Sequence, residues 1–118
     1  MRAVLIDTNM FAVPFVHGID LVYQIMLLVP DAELLTTSRV LDEVSLLAHH
    51  PLIKKGIIDK HVKVVAAMGK ADDSLLKEAV KRHGIVATND KELRNRCLKE
   101  GVPVIFMRGK SHLELRNP

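Results

Sequence analysis

The stretch Ala3-Val4-Leu5-Ile6-Asp7-Thr8-Asn9 decides the fold. Four apolar residues in a row, closed by polar ones, predict a short buried strand. Open α/β sheets place their ligands just outside the carboxyl ends of their strands, and Asp7 stands at such an end. A second stretch, Gly84-Ile85-Val86-Ala87-Thr88-Asn89-Asp90, repeats the arrangement. Two strands that each close on a polar pair beside an acid predict one acidic site built from distant parts of the chain.

Working outward from these two stretches, strand-like runs fall at residues 3–6, 33–37, 62–66, 85–88 and 103–107. Helical patterns lie between them at 19–29, 38–49, 73–83 and 90–100. Strand and helix in alternation predict a parallel sheet covered on both faces. Gly84 and Gly101 stand where helices end. Asn89 followed by Glu92 approximates a capping box, which makes Asn89 the expected N-cap and puts Asp90 in the first helical turn. The stretch 50–60 reads equally as a short helix or a loop. The segment Leu21-Val22-Tyr23-Gln24-Ile25-Met26-Leu27-Leu28-Val29 is apolar over much of a helix circumference, which suits deep burial or, in so small a domain, a subunit interface.

A chain of 118 residues is expected to form one domain, 1–118. Asp20 and Gln24 interrupt the longest apolar segment, so no membrane span is expected. Asp7 interrupts the N-terminal apolar run, which excludes a secretory signal there. Cys97, the only cysteine, permits no internal disulfide and suits a reducing cytoplasm; its position beside Leu93 on a helix predicts a buried structural thiol. The formal charge of +3 is unevenly spread. Residues 1–59 hold 4 Lys and Arg against 7 Asp and Glu, whereas residues 60–118 hold 13 against 7. A basic half beside an acidic site favours a polyanionic partner. Aromatic residues make up only 3% of the chain, too few for a base-stacking platform, so phosphates are the expected handle.

Helix phase sorts the remaining acids. In 38–49 the apolar positions Val40, Leu41, Val44, Leu47 and Ala48 form one arc; Glu43 falls near its edge and is expected half buried, while Asp42 points to solvent. In 73–83 Asp73 lies at the edge of the arc, near Val80, and Asp72 precedes the helix as an N-cap candidate. Several carboxylates in one pocket cannot all stay ionised unaided, and a hard divalent cation resolves the conflict. Oxygen donors without paired cysteines indicate Mg²⁺ or Mn²⁺. The six histidines show no helical ligand spacing and read as surface or capping residues.

Asp7-Thr8-Asn9 after a strand, Glu43 in a helix, Ala71-Asp72-Asp73 opening another and Thr88-Asn89-Asp90 after a later strand together resemble the PIN domain. The resemblance spans essentially the whole chain and rests on the ordered set of four motifs. The last third, from Ala71 through Thr88-Asn89-Asp90-Lys91-Glu92-Leu93-Arg94 to Phe106-Met107-Arg108-Gly109, most resembles archaeal PIN proteins related to nucleases that process small-subunit ribosomal RNA precursors; VapC-type toxins are a more distant match. The resemblance implies a three-layer α/β/α sandwich with a five-stranded parallel sheet in the order 3-2-1-4-5. It implies a Mg²⁺- or Mn²⁺-dependent endoribonuclease that cuts phosphodiesters by metal-activated water, in ribosomal RNA processing, with a VapC-type toxin ribonuclease or a non-cleaving RNA- or protein-binding module as the alternatives. Asp7, Glu43, Asp73 and Asp90 are then the acidic ligands, with Asp72 as a neighbour, and Thr8, Asn9, Thr88 and Asn89 orient them. Lys91, Arg94, Arg96, Lys99, Arg108 and Lys110 cluster in sequence near the Asp90 end of the sheet, and some of them, Lys91, Arg94, Arg108 and Lys110 foremost, are expected to contact substrate phosphates. The implied partners are RNA, a second copy in a homodimer, and an antitoxin or ribosome-assembly factor. The interval between Glu43 and Asp72 is short for the family and leaves little room for clip-like insertions.

Overall fold

The computed structural model describes all 118 residues. Its elements run β1 (Arg2–Ile6), α1 (Thr8–Phe11), α2 (Val13–His17), α3 (Leu21–Leu28), β2 (Ala32–Thr37), α4 (Ser38–Val44), α5 (His50–Ile53), a π-helical turn (Lys54–Ile58), α6 (Asp59–His61), β3 (Lys63–Val65), α7 (Ala71–Arg82), β4 (Ile85–Ala87), α8 (Lys91–Lys99), β5 (Val104–Arg108) and β6 (His112–Arg116). The sheet order is β3-β2-β1-β4-β5-β6. The first five strands are parallel, in the order expected, and β6 pairs antiparallel with β5.

The central strands are apolar on both faces because helices cover both. Val4, Leu5 and Ile6 in β1, and Ile85, Val86 and Ala87 in β4, are fully buried. α7 packs across β1, β2 and β4, α8 packs on β5, and α3 reaches β6. Strand order switches direction between the parallel strands β1 and β4, and this sheet type builds its sites at the carboxyl ends of the strands flanking such a point. Gly84 lets α7 return closely to β1: a Cβ there would stand 2.7 Å from the Ala3 carbonyl oxygen. Cys97 is fully buried, and burial pushes its thiol up to about 12.

Four departures from the sequence reading have local causes. β6 was not anticipated; in it Leu113 and Leu115 alternate with His112, Glu114 and Arg116, the pattern of a half-covered edge strand, and Gly109 at φ +60 turns the chain into it. The helix expected over 38–49 ends at Val44, after which Leu46 is left 85% exposed. The stretch after His49 resolves into α5, the π turn and α6. α8 is capped by Asp90 and not by Asn89: the Asp90 Oδ1 accepts from the Leu93 amide at 3.1 Å, while the Asn89 side chain turns to β5 and accepts from the Met107 amide at 2.8 Å.

Candidate active site

The site is built on the junction of β1 and β4. The Asp7 amide donates to the Ala87 carbonyl at 2.9 Å, which continues the strand pairing one residue past β1 and holds the acid against β4. The Asp7 side chain is only 3% exposed, and every bond it makes comes from the motifs that flank it. Its Oδ1 accepts from the Thr8 amide at 2.8 Å, capping α1. Its Oδ2 accepts from the Thr88 hydroxyl at 2.6 Å and from the Asn9 Nδ2 at 3.2 Å. Thr88, itself fully buried, accepts in turn from the Asp90 amide at 3.1 Å. One hydroxyl thus fixes the two strand-end acids relative to each other. Asn9 Oδ1 also accepts from the Asn89 amide at 3.1 Å, a second tie across the same junction.

Glu43 enters from α4. It is exposed, not half buried as its helix phase suggested, because α4 ends directly after it. It is nevertheless aimed inward: the Thr8 hydroxyl donates to its Oε1 at 2.6 Å. Asp42 is exposed, stands 3.6 Å from the Arg39 guanidinium and lines the outer part of the same cleft.

α7 brings both of its first-turn acids to this cleft, Asp73 and its neighbour Asp72, and of the two it is Asp72 whose charge acts on Asp7. Asp72 lies inside the helix, since Lys70 holds the N-cap position. It stands one turn and two turns before Leu75 and Ala79, both fully buried, so it shares their inward face. Asp73 shares the face of Val80, which is 46% exposed, and its Oδ1 accepts from the Arg96 guanidinium at 2.7 Å. The electrostatics follow this geometry. Burial raises the Asp7 carboxyl above its ordinary value; the bonds from Thr88 and Thr8 oppose this, and the charges of Asp72 and Glu43 add to it. Asp72 is also raised, first by burial and then by the charges of Asp90 and Glu43. The charge of Glu43 thus reaches both Asp7 and Asp72, and that of Asp90 reaches Asp72, across a single crevice.

That donor set fits a divalent cation in charge and in kind. All its donors are oxygens, and adding positive charge relieves both the burial penalty and the mutual repulsion. No three acidic, histidine or cysteine side chains approach closely enough to ligate an ion directly. Cations rim the adjoining cleft, where Arg39, Lys70 and Arg96 stand beside Glu43 and Asp72. Arg96 belongs to the basic cluster near Asp90 that the sequence marks, whereas no helical or strand period marks Arg39 or Lys70. Of the expected phosphate contacts, Lys91 is exposed in the first turn of α8, Arg94 lies against Phe106, Arg108 ends β5 beside Glu114 and Lys110 is exposed in the β5–β6 turn.

A family model described as a PIN like domain matches residues 4–110. The chain belongs to the PIN-like domain family. Ribonuclease VapC4 of Methanocaldococcus jannaschii is 30% identical over 129 residues, spanning 98% of this chain and 97% of that protein. Ribonuclease VapC9 of Archaeoglobus fulgidus is 29% identical over 114 residues, spanning 92% and 84%. Among solved structures, the PIN domain endonuclease Utp24 superposes with a TM-score of 0.82 at 24% identity, over 98% of this chain and 92% of that one. VapBC2 from Rickettsia felis, solved with a DNA fragment from its promoter, superposes at 0.65 and 12% identity over 91% of this PIN-like chain and 100% of the other. At those identities the two structures speak to the fold alone. No helix is long and apolar enough to cross a membrane.

Proposed function

We propose that this PIN-like chain is a divalent-metal-dependent endoribonuclease. The observation that carries the reading is the convergence of Asp7, Glu43, Asp72 and Asp90, whose charges act on one another through the geometry described. Membership of the family and two relatives named ribonucleases support it. Asp7, Asp72, Asp90 and Glu43 would hold Mg²⁺ or Mn²⁺. When bound, the ion would supply charge to the phosphoryl oxygens and acidity to a water. The chain's own part is positioning. Thr88 holds Asp7 in register with Asp90, Thr8 holds Glu43, and Asn9 ties the two strand ends. Such supporting bonds typically contribute 10–100-fold in metal affinity or activity. The test is incubation of RNA with Mn²⁺. Wild type should cut it, EDTA should stop the cutting, and Asp7→Asn and Asp90→Asn should lack it. Equal cleavage by wild type and variants would sink the proposal.

Between ribosomal RNA processing and a toxin role, the two ribonuclease relatives, both of the VapC type, favour the toxin reading. It brings with it an antitoxin partner. Induced expression of wild type arresting growth, with Asp7→Asn harmless, would support it; normal growth with accumulated ribosomal RNA precursors on deletion would favour processing instead. The chain is also proposed to pair with a second copy through α3, where Tyr23 and Leu27, one turn apart, are 58% and 59% exposed.

A further inference from the structure

The flank formed by α8, β5 and β6 carries a second organised group of charges. Phe106 is buried in the middle of β5, and two guanidiniums lie against its ring. Arg94 stands 4.9 Å and Arg116 4.6 Å from the ring centroid. Strand alternation accounts for one of them: Arg116 sits opposite Val104, on the face that Phe106 shares. Arg94 comes from α8, which covers that face.

Two like charges at one ring repel each other, and a carboxylate between them would be the usual remedy. The acid available on this face is Glu114, directly opposite Phe106. It turns instead to Arg108 and His112, each at 3.5 Å. Neither Arg94 nor Arg116 makes an ion pair. The Arg94 Nε is moreover buried with no hydrogen-bond partner. A guanidinium laid on an aromatic ring loses little further freedom on binding, and its planar fork matches phosphate oxygens.

We infer that Arg94 and Arg116, aligned by Phe106, form a subsite for backbone phosphate of an RNA strand leaving the acidic cleft. The identity of the ligand rests on the nuclease reading. The path follows from position: Arg94 lies four residues beyond Asp90, about 6 Å along the helix axis. β6 runs antiparallel to β5, which sets Arg116 farther from the catalytic end than Arg108. Shielding of the Phe106 ring is the competing role, and it requires the bulk of the arginines but not their charge.

The measurement is binding of a labelled single-stranded RNA oligonucleotide across a salt series in EDTA, so that no metal-dependent cleavage intrudes. Arg94→Gln and Arg116→Gln should each weaken binding about tenfold and lower the slope of log affinity against log salt by about 0.7, the value for one phosphate contact on a single strand. Arg116→Lys, which keeps the charge, should retain most of the slope. Gln variants that melt like wild type and bind with unchanged affinity and slope would overturn the subsite. The two proposals fail separately. Loss of slope in the Gln variants alongside no cleavage in Mn²⁺ would keep the subsite and remove the nuclease. Cleavage in Mn²⁺ with unaltered binding by the Gln variants would do the reverse.

Discussion

At the scale of single residues, the decisive pair is Asp72 and Asp73. They are adjacent, equally acidic and both in the first turn of α7, yet a rotation of about 100° gives them different surroundings. Asp72 feels Asp90 and Glu43, whereas Asp73 accepts a bond from Arg96. Asp72→Asn should therefore abolish Mn²⁺ binding, measured by calorimetry, and lower RNA cleavage by about 100-fold or more. Asp73→Asn should leave metal affinity within about threefold, because its ion pair is exposed and worth little. Equal losses in the two variants would contradict the assignment. Asp7 and Asp90 were legible in the sequence because a strand end is unambiguous: apolar residues stop and an acid follows. In the proposed site Asp72 stands where the sequence favoured Asp73, because helix phase counted apolar Val80 as inward and the fold leaves it 46% exposed. Of the cationic rim only Arg96 was marked in the sequence, since Arg39 and Lys70 join it only after separate elements have packed.

At the scale of elements, α7 and its exit carry the strongest local constraint. The helix closes on His83 in the left-handed region at φ 52, a conformation that costs a residue with a Cβ about 1 kcal/mol or more. The next residue, Gly84, has no space for a Cβ because β1 backbone faces it. His83→Gly should raise the melting temperature by about 4 °C. Gly84→Ala should destabilise by about 1–3 kcal/mol in a denaturant titration, since Ala3 must move. The neighbours thus ask for opposite changes, and a neutral Gly84→Ala would show that β1 gives way easily. The five parallel strands and the α7 and α8 patterns were legible because apolar runs and periodic arcs report burial directly. β6 and the short α1 and α2 were not. An edge strand carries half the apolar signal of a central one, and a four-residue helix has too little length for a period.

At the scale of the whole molecule, the chain presents an acidic cleft, a basic flank and, on α3, one exposed apolar edge. Exposed Tyr23 and Leu27 on α3 lead to a prediction about assembly. The wild type should sediment as a dimer and Leu27→Glu as a monomer that melts unchanged, because the substitution touches no core position. A wild-type monomer at high concentration would end the proposal. The order of the sheet has a further consequence, for a chain still being made. The bond from Thr88 to Asp7 spans 81 residues, so the first acid of the site leaves the ribosome long before the strand that holds it in place. Domains fold as they emerge, N-terminal parts first, at about 5–20 residues per second. Until β4 and the start of α8 are synthesised there is no second strand end, no Thr88 hydroxyl and no Asp90. A protein proposed to cut RNA is therefore inert, while tethered to the RNA of the ribosome, until at least the first 90 residues have emerged, and its proposed active centre closes only then.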